Sequence, residues 1–154
     1  MRVYVASSWR NEHYPGLVRD LQTRGFEVHD WRHNGFSWKE VDPGWAVWTP
    51  EQYLDGLCHE RAQEAFQNDM CGLQGADVVI YLGPCGVSAS LEAAWAKGAG
   101  KPVAAYLPAI REPDLMVLLF DFVTTLYSAL IQWLEDTRGS KDYYPSAEVK
   151  WEVD

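Results

Sequence analysis

The stretch Ala76–Leu107, "ADVVIYLGPCGVSASLEAAWAKGAGKPVAAYL", decides the fold. It opens on an unbroken apolar run, "ADVVIYL", the pattern of a strand buried on both faces. A loop of small residues, "GPCGV", leads into "SASLEAAWAKGAG", which reads as a helix, and "PVAAYL" follows as a second buried strand. Strand, helix, strand in this order is the unit of a parallel sheet, because a parallel neighbour is reached only by a crossover.

The alternation continues outward on both sides. "RVYVA" reads as a first strand, and "EHYPGLVRDLQTRG" sets Leu17, Val18 and Leu21 at helical spacing before a stop at Gly25. "FEVHDW" reads as a second strand. The segment "PEQYLDGLCHERAQEAFQNDMCGLQG" reads as one helical stretch with Pro50 at its first position. Beyond Leu107, residues 113–137 read as a short helix, a strand near Phe122 and a final helix through "LYSALIQWLED". The expected architecture is therefore α/β, a five-stranded parallel sheet with helices on both faces. Residues 1–137 form the expected domain. The tail, 138–154, shows no clear element and is expected to pack on the core or on a neighbouring subunit.

Bulk properties narrow the function. A chain of 154 residues fits one domain with one sizeable core. The formal charge of -9 argues against binding a nucleic-acid polymer, which needs basic surface to neutralise phosphates. Three cysteines without a C-x-x-C pair, and a strand where a secretory leader would stand, suggest a reducing cytoplasm. The longest apolar run, "LMVLLFDFVTTLYSALI", is interrupted by Asp121 and reads as core, so no membrane partner is expected. His13, His29, His33 and His59 give no zinc spacing with the cysteines, and no metal is expected.

Eight tryptophans are many for this length, and Trp31, Trp38, Trp45 and Trp48 crowd into a Gly-, Pro- and Asp-rich segment that reads as a long ordered loop. Such aromatics either staple an irregular segment to a core or line a site for a flat ligand. The sequence leaves both readings open.

In a sheet of this kind the ligand crevice lies beyond the carboxyl ends of the strands. That rule gathers "SSWRN", "DWRHNGF" and "GPCGVSAS", and with them Glu92 at the start of the following helix. Ser88 reads as the N-cap, leaving Glu92 at the end of the first turn, where the benefit of the helix dipole fades. A reactive carboxylate and a helix-start acid are both compatible with that position. Asp69 lies near the end of a helix, where its charge opposes the dipole. Ser7, Ser8 and Arg10 offer hydroxyl, N–H and guanidinium donors to an anion. Asp77, at the opposite edge of the sheet, reads as structural. "GVSAS" ends in Ser90 where a nucleophile elbow needs glycine, and "GAGKP" lacks the spacing of a phosphate loop.

Taken together, "VYVASSW", "NDMCGLQGADVVIYL" and "SLEAAWAKGAGKPV" resemble the nucleoside 2-deoxyribosyltransferase family, in order over most of residues 2–107. The full pattern, with "DWR", the Trp-rich loop and "PCGVSA", is most similar to a deoxyribosyltransferase-like subgroup. The resemblance implies a flavodoxin-like three-layer sandwich, no cofactor, and a homodimer or higher homo-oligomer in which a neighbour completes the site. It implies that Glu92 is the nucleophile, Asp69 the proton donor to the departing base, and Tyr4 the residue that positions the nucleophile. Trp9 matches an aromatic near the base or sugar, and Asp30 and Trp31 of "DWR" join the expected substrate-binding residues.

Two departures bear on the substrate. The transferases carry an acid six residues before the nucleophile, where this chain has Gly86. Ser8 and Arg10 are instead similar to residues that hold the 5′-phosphate in nucleoside 5′-monophosphate N-glycosidases, and Ser88 and Ser90 add hydroxyls in the loop where those hydrolases also bind phosphate. The expected ligand is a small-molecule nucleoside or nucleotide. Transfer, hydrolysis, and binding of a nucleotide or ADP-ribose-like ligand without turnover remain the three readings.

Overall fold

The computed structural model describes residues 1–109, 113–140 and 150–151. Its sheet is built from β1 (Arg2–Ala6), β2 (Glu27–His29), β3 (Val78–Leu82), β4 (Val103–Tyr106) and β5 (Phe122–Thr124). A two-residue strand, β6 (Lys150–Trp151), extends the five expected strands at the β5 edge. The order is β2-β1-β3-β4-β5-β6, with every pairing parallel. Every residue of β3 is buried, as its apolar run requires; full burial of each aliphatic side chain contributes about 1.5–3 kcal/mol.

Helices α1 (Tyr14–Thr23), α4 (Val87–Gly98) and α5 (Tyr127–Gly139) belong to this sheet. Helix α1 buries Leu17, Val18 and Leu21 and ends on Gly25, whose φ of 79° suits the left-handed residue after a helix. Gly100 does the same after α4, with φ 77°. Helices α1 and α5 share a face: the Arg138 guanidinium stands 4.4 Å from the centre of the Phe26 ring and bonds the Arg24 carbonyl. On that face Phe122 of β5 stacks on Trp133 of α5. Helix α4 covers the other face, pressing Ala89, Ala93 and Ala96 on the strands. Small side chains let it lie close. Its Lys97 pairs with buried Asp121, whose second oxygen accepts from the Val103 N–H at 2.9 Å. At the amino ends of the strands, Asp77 accepts from the Arg2 N–H at 2.7 Å, a structural tie between β1 and β3.

Residues Trp31–Gln74 cluster as a second compact unit, inserted between β2 and β3 of the first. The Trp-rich segment, expected as a long ordered loop, carries short helical turns. It forms 3-10 turns at Trp31–Asn34, Trp38–Glu40 and Trp45–Val47. The single helix expected after it is two, α2 (Pro50–Leu57) and α3 (Glu60–Gly75). The break follows from His59, whose Nδ1 accepts from the Arg61 N–H and so starts a new helix as a cap does. Thr49 and Gln52 close a capping box at the start of α2.

This unit has an aromatic centre. Trp38 meets Phe36, Trp48 and Tyr53 edge-to-face, with ring centres 4.9, 5.5 and 5.9 Å away. Trp48 donates its indole N–H to Asp42 and packs its ring against Gly56, where an added Cβ would sit 2.6 Å from the ring. Trp38 and Trp48 thus tie the segment to α2 through Tyr53 and Gly56.

Candidate active site

The chain leaves β1 towards β2 and leaves β3 in the opposite direction, so the sheet's switch point lies between β1 and β3. Crevices form at such points because the two connections diverge. Here the two loops are stitched at their base. Ser7 Oγ donates to the Leu82 carbonyl at 3.0 Å, and Asn11 Nδ2 donates to Leu82 and Pro84 carbonyls at 3.1 and 3.2 Å. Asn11 Oδ1 accepts from the His13 N–H at 2.9 Å. Asn11, the last residue of "SSWRN", is buried, and its amide is satisfied by both loops, a positioning role visible only in the fold.

Above that base, Ser8 Oγ accepts from the Arg10 N–H at 3.2 Å, which turns the chain and leaves the Trp9 and Arg10 side chains exposed. Asp30, after β2, accepts from the Tyr14 hydroxyl at 3.1 Å and so leans towards α1. Gly86, not Ser88, is the N-cap of α4, and no side chain caps the helix there. The first-turn N–H groups are thus left without intrahelical partners. Gly86 has φ -104° and open space around its missing Cβ, so nothing in the backbone demands glycine. Ser88 is exposed, whereas Ser90 is half-buried and donates to the Gly86 carbonyl at 3.4 Å.

With the helix starting at Val87, Glu92 falls in the second turn and is half-buried. Its side of α4 follows from helical phase. Ser90 and Ala94 line a cleft of about 210 Å³ with Tyr81, Phe120 and the turn at Leu115–Leu119. At a hundred degrees per residue Glu92 projects from the opposite flank, towards β1. Tyr4 stands on the same face of the sheet, since its register partner Val79 lies two residues from the cleft-lining Tyr81. Trp31 and Asp69 belong to the other unit, where Trp31 is buried beneath the Arg32 guanidinium and Asp69 is half-buried on α3.

Two residues that the sequence reading passed over tie this loop down. The Tyr81 hydroxyl is pushed up to about 12 by burial first and then by a hydrogen bond with Cys85, against a bond with Ser90 that lowers it. Burial likewise pushes the Cys85 thiol up; the bond with Tyr81 opposes this, and the charges of Glu92 and Asp114 add to the rise. Tyr81 is the one hydroxyl in an otherwise aliphatic strand, a signal present in the sequence.

The chain is similar in structure to two enzymes. A 2-deoxyribosyltransferase from Bacillus psychrosaccharolyticus matches with a TM-score of 0.61 at 20% identity, over 84% of this chain and 90% of that one. A CMP N-glycosidase from Clostridium botulinum matches with a TM-score of 0.51 at 16% identity, over 88% of this chain and 99% of that one. The chain has the deoxyribosyltransferase fold. The flavodoxin-like arrangement expected from the motifs is the one observed. No protein-family model and no curated protein matches the chain.

Proposed function

We propose that the protein cleaves the N-glycosidic bond of a nucleoside, deoxynucleoside or 5′-monophosphate through a glycosyl-enzyme on Glu92. The observation that carries this reading is the placement of Glu92: half-buried, past the helix start, on the α4 flank that faces β1 and Tyr4. The similarity in fold to a transferase and a glycosidase of N-glycosidic bonds supports the reaction class.

In this mechanism a Glu92 oxygen attacks the anomeric carbon while the bond to the base nitrogen breaks through an oxocarbenium-like transition state. Asp69 gives its proton to the leaving base, and Tyr4 holds the Glu92 carboxylate by its hydroxyl. An incoming base or a water then attacks the same carbon, the ester to Glu92 breaks, and Asp69 takes the proton that the nucleophile sheds. Transfer and hydrolysis share every step but this last choice.

The first turn of α4 favours the nucleotide as substrate. Its uncapped N–H groups, the Ser88 hydroxyl and the exposed Arg10 side chain suit a 5′-phosphate, and Gly86 supplies no acid to repel one. A chromatographic screen of nucleosides and 5′-monophosphates, with and without an acceptor base, tests the reading. The wild type is expected to release free base or form a new nucleoside, and folded Glu92→Ala to do neither. Turnover by Glu92→Ala at the wild-type rate would remove Glu92 as nucleophile.

A further inference from the structure

His29 is a half-buried titratable group that the mechanism leaves unused, with one ring nitrogen shut off from solvent. It ends β2 and is the register partner of Tyr4, so the two side chains stand on the same face of the sheet. Their rings stack at 5.9 Å with 12° between planes. This is the face that α4 covers, and Glu92 projects from the α4 flank on the β1 side. The His29 Nε2 atom is shut away from solvent and has no hydrogen-bond partner among the described residues. A buried polar nitrogen left in that state is destabilising, and such atoms are few in folded proteins. Ring stacking accounts for a flat side chain at position 29. It does not account for the nitrogen, which a phenyl ring would lack.

We propose that His29 Nε2 is a substrate-contacting atom, hydrogen-bonding a neutral polar edge of the ligand, a nucleobase nitrogen or carbonyl or a sugar hydroxyl. The inference rests on the reading of Glu92 as the nucleophile of an N-glycosidic cleavage. Ligand entry parts the side chains over the nitrogen and supplies the missing partner. His29 then fixes which ligand edge lies beside Tyr4, which makes it a determinant of specificity.

The test is carried out in the Glu92→Gln background, where turnover does not consume the ligand. Titration calorimetry with deoxynucleosides, their 5′-monophosphates, free bases and deoxyribose 5-phosphate measures binding, and the melting temperature is recorded alongside. His29→Phe is expected to bind its best ligand about tenfold more weakly, as one lost hydrogen bond allows, while melting at or above the parent temperature. His29→Gln, which restores a polar group at similar reach, is expected to recover most of the affinity. Weakening confined to free bases assigns the contact to the base, and weakening confined to the sugar phosphate assigns it to the sugar. Unchanged affinity in His29→Phe overturns the inference and leaves the Glu92 reading standing. A lower melting temperature with affinity intact makes His29 structural and overturns it equally. Binding of no ligand in the panel by the parent overturns both readings together.

Discussion

At Glu92 the usual reason for an acid near a helix start does not apply. The helix begins at Val87 with Gly86 as cap, so Glu92 lies a full turn beyond the groups whose partial charge favours an anion. Arg10 is the complementary case, an exposed cation on a turn fixed by Ser8. Bonds to a charged partner are worth about 1.5–3 kcal/mol, so Arg10→Ala is expected to weaken 5′-monophosphate binding by about tenfold or more. Nucleoside binding should hardly change. Calorimetry with both ligands checks this, and equal losses would move the phosphate away from Arg10. Ser7 illustrates how a side chain in the right loop can serve the scaffold instead: its hydroxyl hydrogen is committed to the Leu82 carbonyl.

Among the elements, β3, α4 and β4 were the most legible, because burial on both faces leaves a strand few polar choices. The helix after the Trp-rich segment was legible as helix but not as two, since a histidine ring acting as a cap has no marked sequence pattern. The cap of α4 was misplaced by two residues because Ser88, the better capping side chain, stands inside the first turn. The candidate site is legible in the sequence through Glu92 and the loop after β1. It was not legible at His29, whose meaning depends on its register with Tyr4 and on an unbonded nitrogen. Nor did composition show that Gly56 is needed by a ring. Gly56→Ala forces the Trp48 indole to shift and is expected to cost about 1–3 kcal/mol, the range for overpacking a filled site. Urea denaturation measures it; an unchanged midpoint would mean that the Trp48 contact is slack.

For the molecule as a whole, two sets of groups bound the pH range of stability. Asp77 is held below its ordinary value by the Arg2 backbone N–H, Glu40 by the Arg61 guanidinium and Asp42 by the Trp48 indole. Carboxyls depressed in the fold contribute stability above their ordinary values near 4 and lose it as pH falls through the folded ones. Tyr81, Cys85 and Tyr106 are raised by burial, so the unfolded chain deprotonates first. Their contribution is complete below the ordinary thiol value of 9.0 and declines as pH climbs towards about 12. The urea midpoint is expected to be flat from about pH 5 to 9 and to fall on both sides. In Tyr81→Phe the alkaline fall should be shallower. An alkaline limb identical to wild type would remove Tyr81 from this account.

The strand order also sets a timetable for synthesis. β1 is made well before one of its two neighbours in the sheet, β3, which begins only at Val78. Between them come the residues Trp31–Gln74, contiguous in sequence and compact in the finished fold. A nascent chain stopped before residue 78 therefore holds the insertion and an unfinished sheet, with β1 bare along the side that β3 will take. That bare strand is the stage at which the growing protein is most open to pairing with another copy of itself.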